Sequence, residues 1–152
     1  MKRFVTAIAL VVGLLCAASA PSYAATEKEK AFVDSYKKAF ESKDANTLKS
    51  FLYTKGADPM ILEFYTMMLT GDMGGKISSI ELKDLTPEDV KKVSEMQPLP
   101  DGKPAKLPVT PTKKLVVKVE TASAEGSSTS TSESFVAEVD GKLMIPVPGP
   151  AK

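Results

Sequence analysis

The chain has 152 residues, a formal net charge of +1 and a single cysteine, and it contains neither histidine nor tryptophan. This length suits one domain that is held together by core packing. The lack of histidine excludes histidine-based triads and histidine-containing zinc sites. The near-neutral charge, with no basic cluster beyond pairs of lysines, argues against nucleic acid as a partner.

The first 24 residues have the pattern of a cleaved signal peptide. Lys2 and Arg3 give a positively charged start, residues 4–15 form an apolar run, and residues 22–24 place small side chains at the −3 and −1 positions of a cleavage site. The apolar run is too short for a comfortable membrane span. We therefore expect cleavage between Ala24 and Ala25 and an exported chain, periplasmic or secreted, with no membrane contact after cleavage.

Cys16 lies within this segment, so the exported chain should contain no thiol and no disulfide. Cleavage also removes two basic residues and leaves 18 basic residues against 19 acidic ones. A lipoprotein anchored at Cys16 is the alternative. It is disfavoured because Leu15 stands directly before the cysteine, where a lipobox has a small residue.

The first predicted helix starts at a capping box. Thr26 and Glu29 have the spacing in which each side chain bonds to the backbone amide of the other residue. The helix should run to about Ser42. The apolar positions recur at helical spacing and predict one buried face, made of Phe32, Tyr36, Ala39 and Phe40.

Two further helices are predicted before residue 72. Asp44 can cap a short second helix, which Gly56 closes. Asp58, followed by a proline, starts a third helix with residues 60–69 as its body and Gly71 as its stop. Because apolar residues surround this third helix on nearly all sides, we expect it to be buried between the other helices and a sheet.

The next segment should contain a strand, a short helix and an extended connection. Residues 76–85 alternate as a strand does, and Thr86-Pro87 begins the helix, on which Val90 and Val93 form a narrow apolar stripe. Residues 98–112 are proline-rich and predict a largely polyproline II connection to the last part of the chain.

Residues 113–147 predict an antiparallel meander. Leu115, Val117 and Val119 share one face of the first strand, and the two-residue Asp140-Gly141 loop favours a type I′ turn into the returning strand. On the strand before that turn, we expect the core face to carry Phe135, Ala137 and Val139.

The hairpin tip of this meander and the end of the chain should both lie outside the core. Residues 127–134 are nearly all serine and threonine, which indicates a hairpin tip in solvent, with Ser130 outside the core. After residue 146, alternating prolines predict a frayed terminus, because proline cannot continue a hydrogen-bonded ladder.

The order of three helices, a strand and a meander, together with residues 32–44 and Leu48, resembles the NTF2-like (SnoaL-like, cystatin-type α+β cone) superfamily. That superfamily has an aromatic-rich first helix that ends in a short polar step, and here residues 42–44 occupy the step. The resemblance covers about residues 27–147. It implies one α+β domain over residues 25–152, with N-terminal helices packed on a curved antiparallel sheet around a conical pocket. The proline-rich connection departs from the pattern and leaves the strand order open.

The resemblance also implies that helical aromatic residues face such a pocket. A buried tyrosine hydroxyl can donate to a developing oxyanion, although packing is the plainer explanation for these residues. The candidate ligand-pocket residues are Tyr36, Phe40, Tyr53, Tyr65, Met68 and Phe135.

Carboxylates and methionines are weaker candidates. A general base would have to come from an acidic side chain, but Asp58 also fits as an N-cap and Glu63 as a solvent-facing helix residue; the acidic candidates are Asp34, Asp58, Glu63 and Asp72. Methionines can line an adaptable pocket or simply fill core gaps, and those considered are Met60, Met67, Met68 and Met73. No metal site, catalytic residue or cofactor is predicted.

These observations predict an exported, non-catalytic module of the cell envelope that binds a small molecule or a protein, and that can form a homodimer through the open sheet face. One alternative is a cofactor-independent isomerase or dehydratase that uses tyrosine and carboxylate groups. The other is a structural envelope protein with a filled cone. An enclosed cavity with a tyrosine bonded to a carboxylate would favour the enzyme, and an open apolar groove would favour the binding module.

Overall fold

The computed structural model describes residues 25–123 and 126–151, which form an α+β fold of helices and strands. The predicted signal peptide and its cleavage site at Ala24 lie outside these residues. The helices are α1 (Glu27–Glu41), α2 (Ala45–Ser50), α3 (Pro59–Gly71) and α4 (Pro87–Ser94). The strands are β1 (Leu52–Tyr53), β2 (Lys76–Asp84), β3 (Ala105–Lys106), β4 (Lys113–Ser123), β5 (Gly126–Val139), β6 (Lys142–Pro146) and β7 (Gly149–Pro150).

Five strands form the main sheet, in the order β1-β6-β5-β4-β2. β1 runs parallel to β6, and the other neighbours are antiparallel. β3 and β7 form a separate two-stranded sheet. β6 pairs with β5 only at residues 137–139, so the first half of β5 pairs with β4 alone. This gives the strand order that the sequence left open.

The helix starts are those that the capping residues predict. Thr26 and Glu29 form a complete capping box, with donor–acceptor distances of 2.7 and 3.2 Å. Asp44 caps α2, and Asp58 accepts hydrogen bonds from the first amides of α3. α2 ends earlier than predicted, at Ser50, because the chain continues into β1, which the sequence analysis missed.

Helix α1 packs against the main sheet and encloses the larger core. The predicted face of β4 is confirmed, since Leu115, Val117 and Val119 are buried there. The predicted face of β5 is wrong, because Val136 is fully buried in this core and Phe135 is only half-buried. The register explains the difference.

Val136 lies opposite Lys113, and Ser134 lies opposite Leu115, so the even-numbered residues of β5 share the core face of β4.

The opposite face of the sheet is also covered. Val116 and Ala137, which point away from the helical core, are buried there. The ion pair between Lys114 of β4 and Asp89 holds α4 on this face, at an Nζ–Oδ1 distance of 3.0 Å. Because both faces of β5 are covered at Val136 and Ala137, alternation alone could not identify the one that meets the helices.

The end of the chain packs against the body instead of fraying, which corrects the prediction from its prolines. Val147 is fully buried, and its amide donates to the carbonyl of Tyr53 at 3.1 Å. Pro148 accepts from the amide of Asp58 at 3.0 Å. Gly149 and Pro150 form β7, because their backbone lies beside β3 and needs no long ladder. Among the described residues, none of the helices has both the length and the apolar character needed to cross a bilayer.

Candidate functional site

Two of the predicted pocket residues belong to the packed core. Tyr36 and Phe40 are both buried, and their rings stack with centroids 6.4 Å apart. Phe32 and Phe51 extend this aromatic cluster, with a T-shaped contact at 5.2 Å. Burial raises the pKa of Tyr36 to about 12, so its hydroxyl stays protonated at neutral pH. The space under α1 is therefore filled by aromatic rings.

The other four predicted pocket residues lie in different places. Tyr53 is half-buried and lines a groove beside Lys55 and Lys106. Phe135 is half-buried on a strand whose core side is turned the other way. Met68 is exposed, and Tyr65 lines a groove beside α3. The structure thus brings Tyr36 and Phe40 together and separates the remaining members of the predicted set.

The candidate carboxylates have structural contacts or face solvent. Asp58 accepts from the amides of Met60 and Ile61 at 3.0 and 3.2 Å, as an N-cap does. Asp72 follows α3 and accepts from the hydroxyl of Ser130 at 3.2 Å. Asp34 and Glu63 are exposed. In the described part of the chain, no hydrogen bond joins a tyrosine hydroxyl to a carboxylate.

Helix α3 presents an apolar stripe to solvent, which contradicts its predicted burial. The exposed fractions are 61% for Met60, 54% for Phe64, 62% for Met67 and 37% for Met68. These residues stand at i, i+4, i+7 and i+8, so they share one side of the helix. We call them the α3 stripe. The opposite side carries Leu69, which alone on this helix is fully buried.

The burial prediction failed because only one side of α3 packs against the core. The helix is apolar on nearly all sides, so its other side exposes apolar residues to solvent. Leu69 is buried, and partly buried neighbours such as Ile61, Leu62 and Tyr65 pack against the core from α3. The stripe itself remains exposed. Contiguous apolar surface of this kind marks an interaction site more often than a solvated surface does.

An open groove lies directly beside the α3 stripe. Its volume is about 450 Å³, and Phe64 belongs to both the stripe and the groove. Lys92 and Glu95 bring charge to its lining. The apolar lining comes from four parts of the chain, namely α3, the segment that follows α4, the residue two positions after β6, and Ala105 of β3. We call this the α3 groove, and its apolar residues include Ile61, Phe64, Tyr65, Met96, Pro98, Leu99 and Pro148.

Local turns position the wall opposite α3. The amide of Leu99 donates to the carbonyl of Lys103 at 2.8 Å, and the amide of Gly102 donates back to the carbonyl of Leu99 at 2.8 Å. Gly102 has a φ of 82°, which glycine adopts without strain. This tight turn holds Leu99 in a buried position. The third part of the groove is anchored where Pro148 accepts from the amide of Asp58.

Sequence reasoning found Tyr65 but missed Met96, Leu99 and Pro148. One signal was present, because Leu99 is a single large apolar residue between two prolines, in a segment interpreted as a solvated connection. An apolar side chain in such a segment needs a partner. Nothing local to the sequence indicates that Leu99 lines a groove together with α3.

Burial in the groove also changes the pKa of one lining residue, Tyr65. Burial raises the pKa of Tyr65 above its ordinary value of 10.0, so its hydroxyl stays neutral near pH 7.

Within residues 25–123 and 126–151, no group of three or more acidic side chains could hold a metal ion. Comparisons with protein-family models, with curated proteins and with solved structures gave no match.

Proposed function

We propose that this protein is an exported, non-catalytic interaction module of the cell envelope, and that its α3 groove binds an apolar segment of another polypeptide. The observation that carries the proposal is the adjacency of the groove to the exposed α3 stripe, which together form one apolar surface. Export is proposed from the charge and apolar pattern of residues 1–24.

The shape of the groove favours a polypeptide over a small molecule. Small-molecule sites are usually concavities that bury most of the ligand surface. The α3 groove is open, and the adjoining α3 stripe lies on a helix of 13 residues, which is about 20 Å long at 1.5 Å per residue. A segment of similar length, with apolar residues every three or four positions, matches such a surface.

Methionine suits this role because its side chain is flexible and polarisable. Met68 on α3 and Met96 across the groove can adapt to different apolar partners. Lys92 and Glu95 provide charges of both signs near the groove and so can orient a bound segment.

We also propose that the fold is an NTF2-like cone. The order of helices and strands supports this, with α1, α2 and α3 preceding the meander of β4, β5 and β6. In this proposal the interior under α1 is filled by Phe32, Tyr36 and Phe40, and the binding surface lies on the outside of α3. The filled interior argues against proton-transfer chemistry among buried tyrosines, and the open apolar groove beside α3 is the reason to prefer binding over a purely structural role.

A fluorescence titration tests the binding proposal. The chain lacks tryptophan, so an amphipathic helical peptide that contains one tryptophan among its apolar residues reports its own environment. Binding to the α3 groove should shift the emission to shorter wavelength. Phe64→Ser and Met96→Ser should each weaken the affinity roughly tenfold, which corresponds to about 1.4 kcal/mol.

The matched control is Val90→Ser. Val90 is 55% exposed on α4, close to the 54% of Phe64, and it does not line the groove. Its substitution should leave the affinity within about twofold. Equal weakening by all three substitutions, or no spectral shift with the unchanged protein, would contradict the proposal.

A further inference from the structure

The first half of β5 forms an open edge of the main sheet. Residues 126–136 pair with β4 on one side, whereas β6 pairs only with residues 137–139 on the other side. Within the described residues, no strand pairs with residues 127–134 along that second side. All of the side chains from Ser127 to Glu133 are exposed.

The hairpin at the end of β5 determines which backbone groups face this edge. Asp140 and Gly141 have φ angles of 49° and 79°, as in a two-residue type I′ turn. Val139 and Lys142, which flank the turn, therefore form a hydrogen-bonded pair, and Ala137 with Met144 forms the next one.

Backbone N–H and C=O groups that point to one side of a strand recur at every second residue. The odd-numbered residues of β5 therefore point their backbone groups toward the β6 side, and the even-numbered residues point theirs toward β4. In the part of β5 that β6 does not reach, the backbone N–H and C=O groups that face the open edge are those of Ser127, Thr129, Thr131 and Glu133.

Residues 127–132 of this edge lack the residue types that usually prevent pairing with another strand. Natural edge strands carry lysine, proline, a bulge or an inward-pointing charge. Residues 127–132 contain only serine and threonine, and β5 pairs with β4 in one unbroken register from residue 126 to residue 136.

The edge is also compatible with a second copy of itself. When two such strands pair antiparallel about a two-fold axis near Thr131, Thr129 lies opposite Glu133 of the other copy. No like charges then lie opposite each other, because Glu133 is the only charged residue of the segment.

Helix α3 adds an apolar part to the same surface. At the start of the helix, the amide of Asp58 donates to the carbonyl of Pro148, which lies just beyond β6. After its end, Asp72 accepts from the hydroxyl of Ser130, which lies in the open half of β5. The helix therefore runs beside the open edge. Met60 and Met67 are more than 60% exposed on it. In a two-fold pair, both copies of α3 lie on the same face of the joined sheet, where these methionines can be buried against the other copy.

We propose that the protein forms a two-fold symmetric homodimer in which the β5 edges pair antiparallel and Met60 and Met67 are buried between the copies. The joined sheet has ten strands, five from each copy. This inference goes beyond the proposed function, because it concerns self-association at β5. It assigns Met60 and Met67 to the dimer and leaves Phe64 and the α3 groove to the bound segment.

Sedimentation velocity of the purified protein over a concentration series measures the dimer. Thr131→Pro removes an edge-facing N–H and leaves the bonds to β4, since proline is tolerated on edge strands. It should raise the dimer dissociation constant roughly tenfold or more, whereas Thr131→Ala should change it less than about twofold. Met67→Lys should also raise it roughly tenfold, and Val90→Lys, at a similarly exposed position on α4, should not.

Residue-resolved hydrogen exchange gives a second readout that does not depend on any variant. In the dimer, the amides of Ser127, Thr129 and Thr131 should become protected as the protein concentration rises, while those of Ser128 and Ser130 stay protected throughout.

A protein that is monomeric at every concentration contradicts the proposal. So does a dimer that keeps its affinity in both Thr131→Pro and Met67→Lys, or one in which the odd-numbered amides exchange freely. Loss of peptide binding in Phe64→Ser with an intact dimer separates this proposal from the function of the groove.

Discussion

The Nζ atom of Lys114 lies 3.0 Å from Oδ1 of Asp89, and the Asp89 side chain is almost fully buried. Asp89 also completes the capping box of α4, where it accepts from the amide and the hydroxyl of Thr86 at 3.0 and 2.8 Å. One carboxylate thus starts α4 and fixes it to β4. It thereby positions the segment that follows α4, which supplies Met96 and Leu99 to the groove.

This arrangement predicts a loss of stability in acid. The hydrogen bond from the Thr86 backbone and the bond from Lys114 lower the pKa of Asp89 from 3.8 to about 2. A carboxyl group with a depressed pKa in the folded state stabilises the protein fully above its ordinary pKa. That contribution is lost as the pH falls from 3.8 toward 2. The melting temperature should therefore decline through this window.

The variant Asp89→Asn should have a lower melting temperature at neutral pH and a smaller further decline in acid. Part of the decline should remain, because the Thr26 backbone bond lowers the pKa of Glu29 and the Thr47 hydroxyl lowers that of Asp44. Asp34→Asn, at an exposed position of α1, is the matched control. Parallel melting curves for Asp89→Asn and the unchanged protein across the acid window would rule out this role.

The face assignment of β5 predicts unequal effects at two positions of the same face. Val136 is fully buried, so Val136→Ala should destabilise the fold by roughly 2 kcal/mol through lost burial and a small cavity. Ser132 points to the same side of the strand but is exposed. Ser132→Ala should stay within about 0.5 kcal/mol. Urea unfolding measures both, and a neutral Val136→Ala would show that this face is not the core face.

The sequence predicted the helix starts and the last turn, because these depend on a few neighbouring residues. Thr26, Asp58 and Thr86 cap their helices through side chains that bond amides within three residues. Asp140 and Gly141 adopt the positive φ angles that a two-residue hairpin needs. No distant contact is required for such features, and so a short stretch of sequence is enough to identify them.

The errors concern features that depend on what lies on the other side of an element. Val136 and Phe135 cannot be ranked by alternation, because both faces are covered at this end of β5, where Val136 and Ala137 are buried. The α3 stripe has the same composition as a buried helix face, and only the position of α3 at the surface distinguishes the two. Leu99 lines the same groove as α3 through the fold of residues 98–112, which have no periodic pattern. The candidate groove was therefore hidden from the sequence, although Tyr65 was named.

The close approach of Gly149 to the loop at Gly56 predicts a strict need for glycine. A β-carbon at position 149 would overlap the carbonyl oxygen of Gly56, and backbone atoms cannot move aside cheaply. Gly149→Ala should destabilise the fold by about 2 kcal/mol and loosen the end of the chain from Tyr53. Gly71→Ala is the control, because no atom lies within 4 Å of a β-carbon there. Thermal unfolding should show a lower melting temperature for Gly149→Ala alone, and equal melting temperatures for the two variants would refute the contact.

Methyl-resolved NMR of protein with ¹³C-labelled methionine methyl groups tests the binding proposal most directly. The probe is the tryptophan-containing amphipathic peptide. The methyl group of Met96, which lines the α3 groove, should show the largest shift, and it should saturate as the peptide is added. Met73 packs against the core and Met144 lies half-buried on β6, so their signals should stay in place. If the α3 groove binds the peptide, a saturable shift that is largest at Met96 is expected. No shift at Met96, or a larger one at Met73 or Met144, would contradict it.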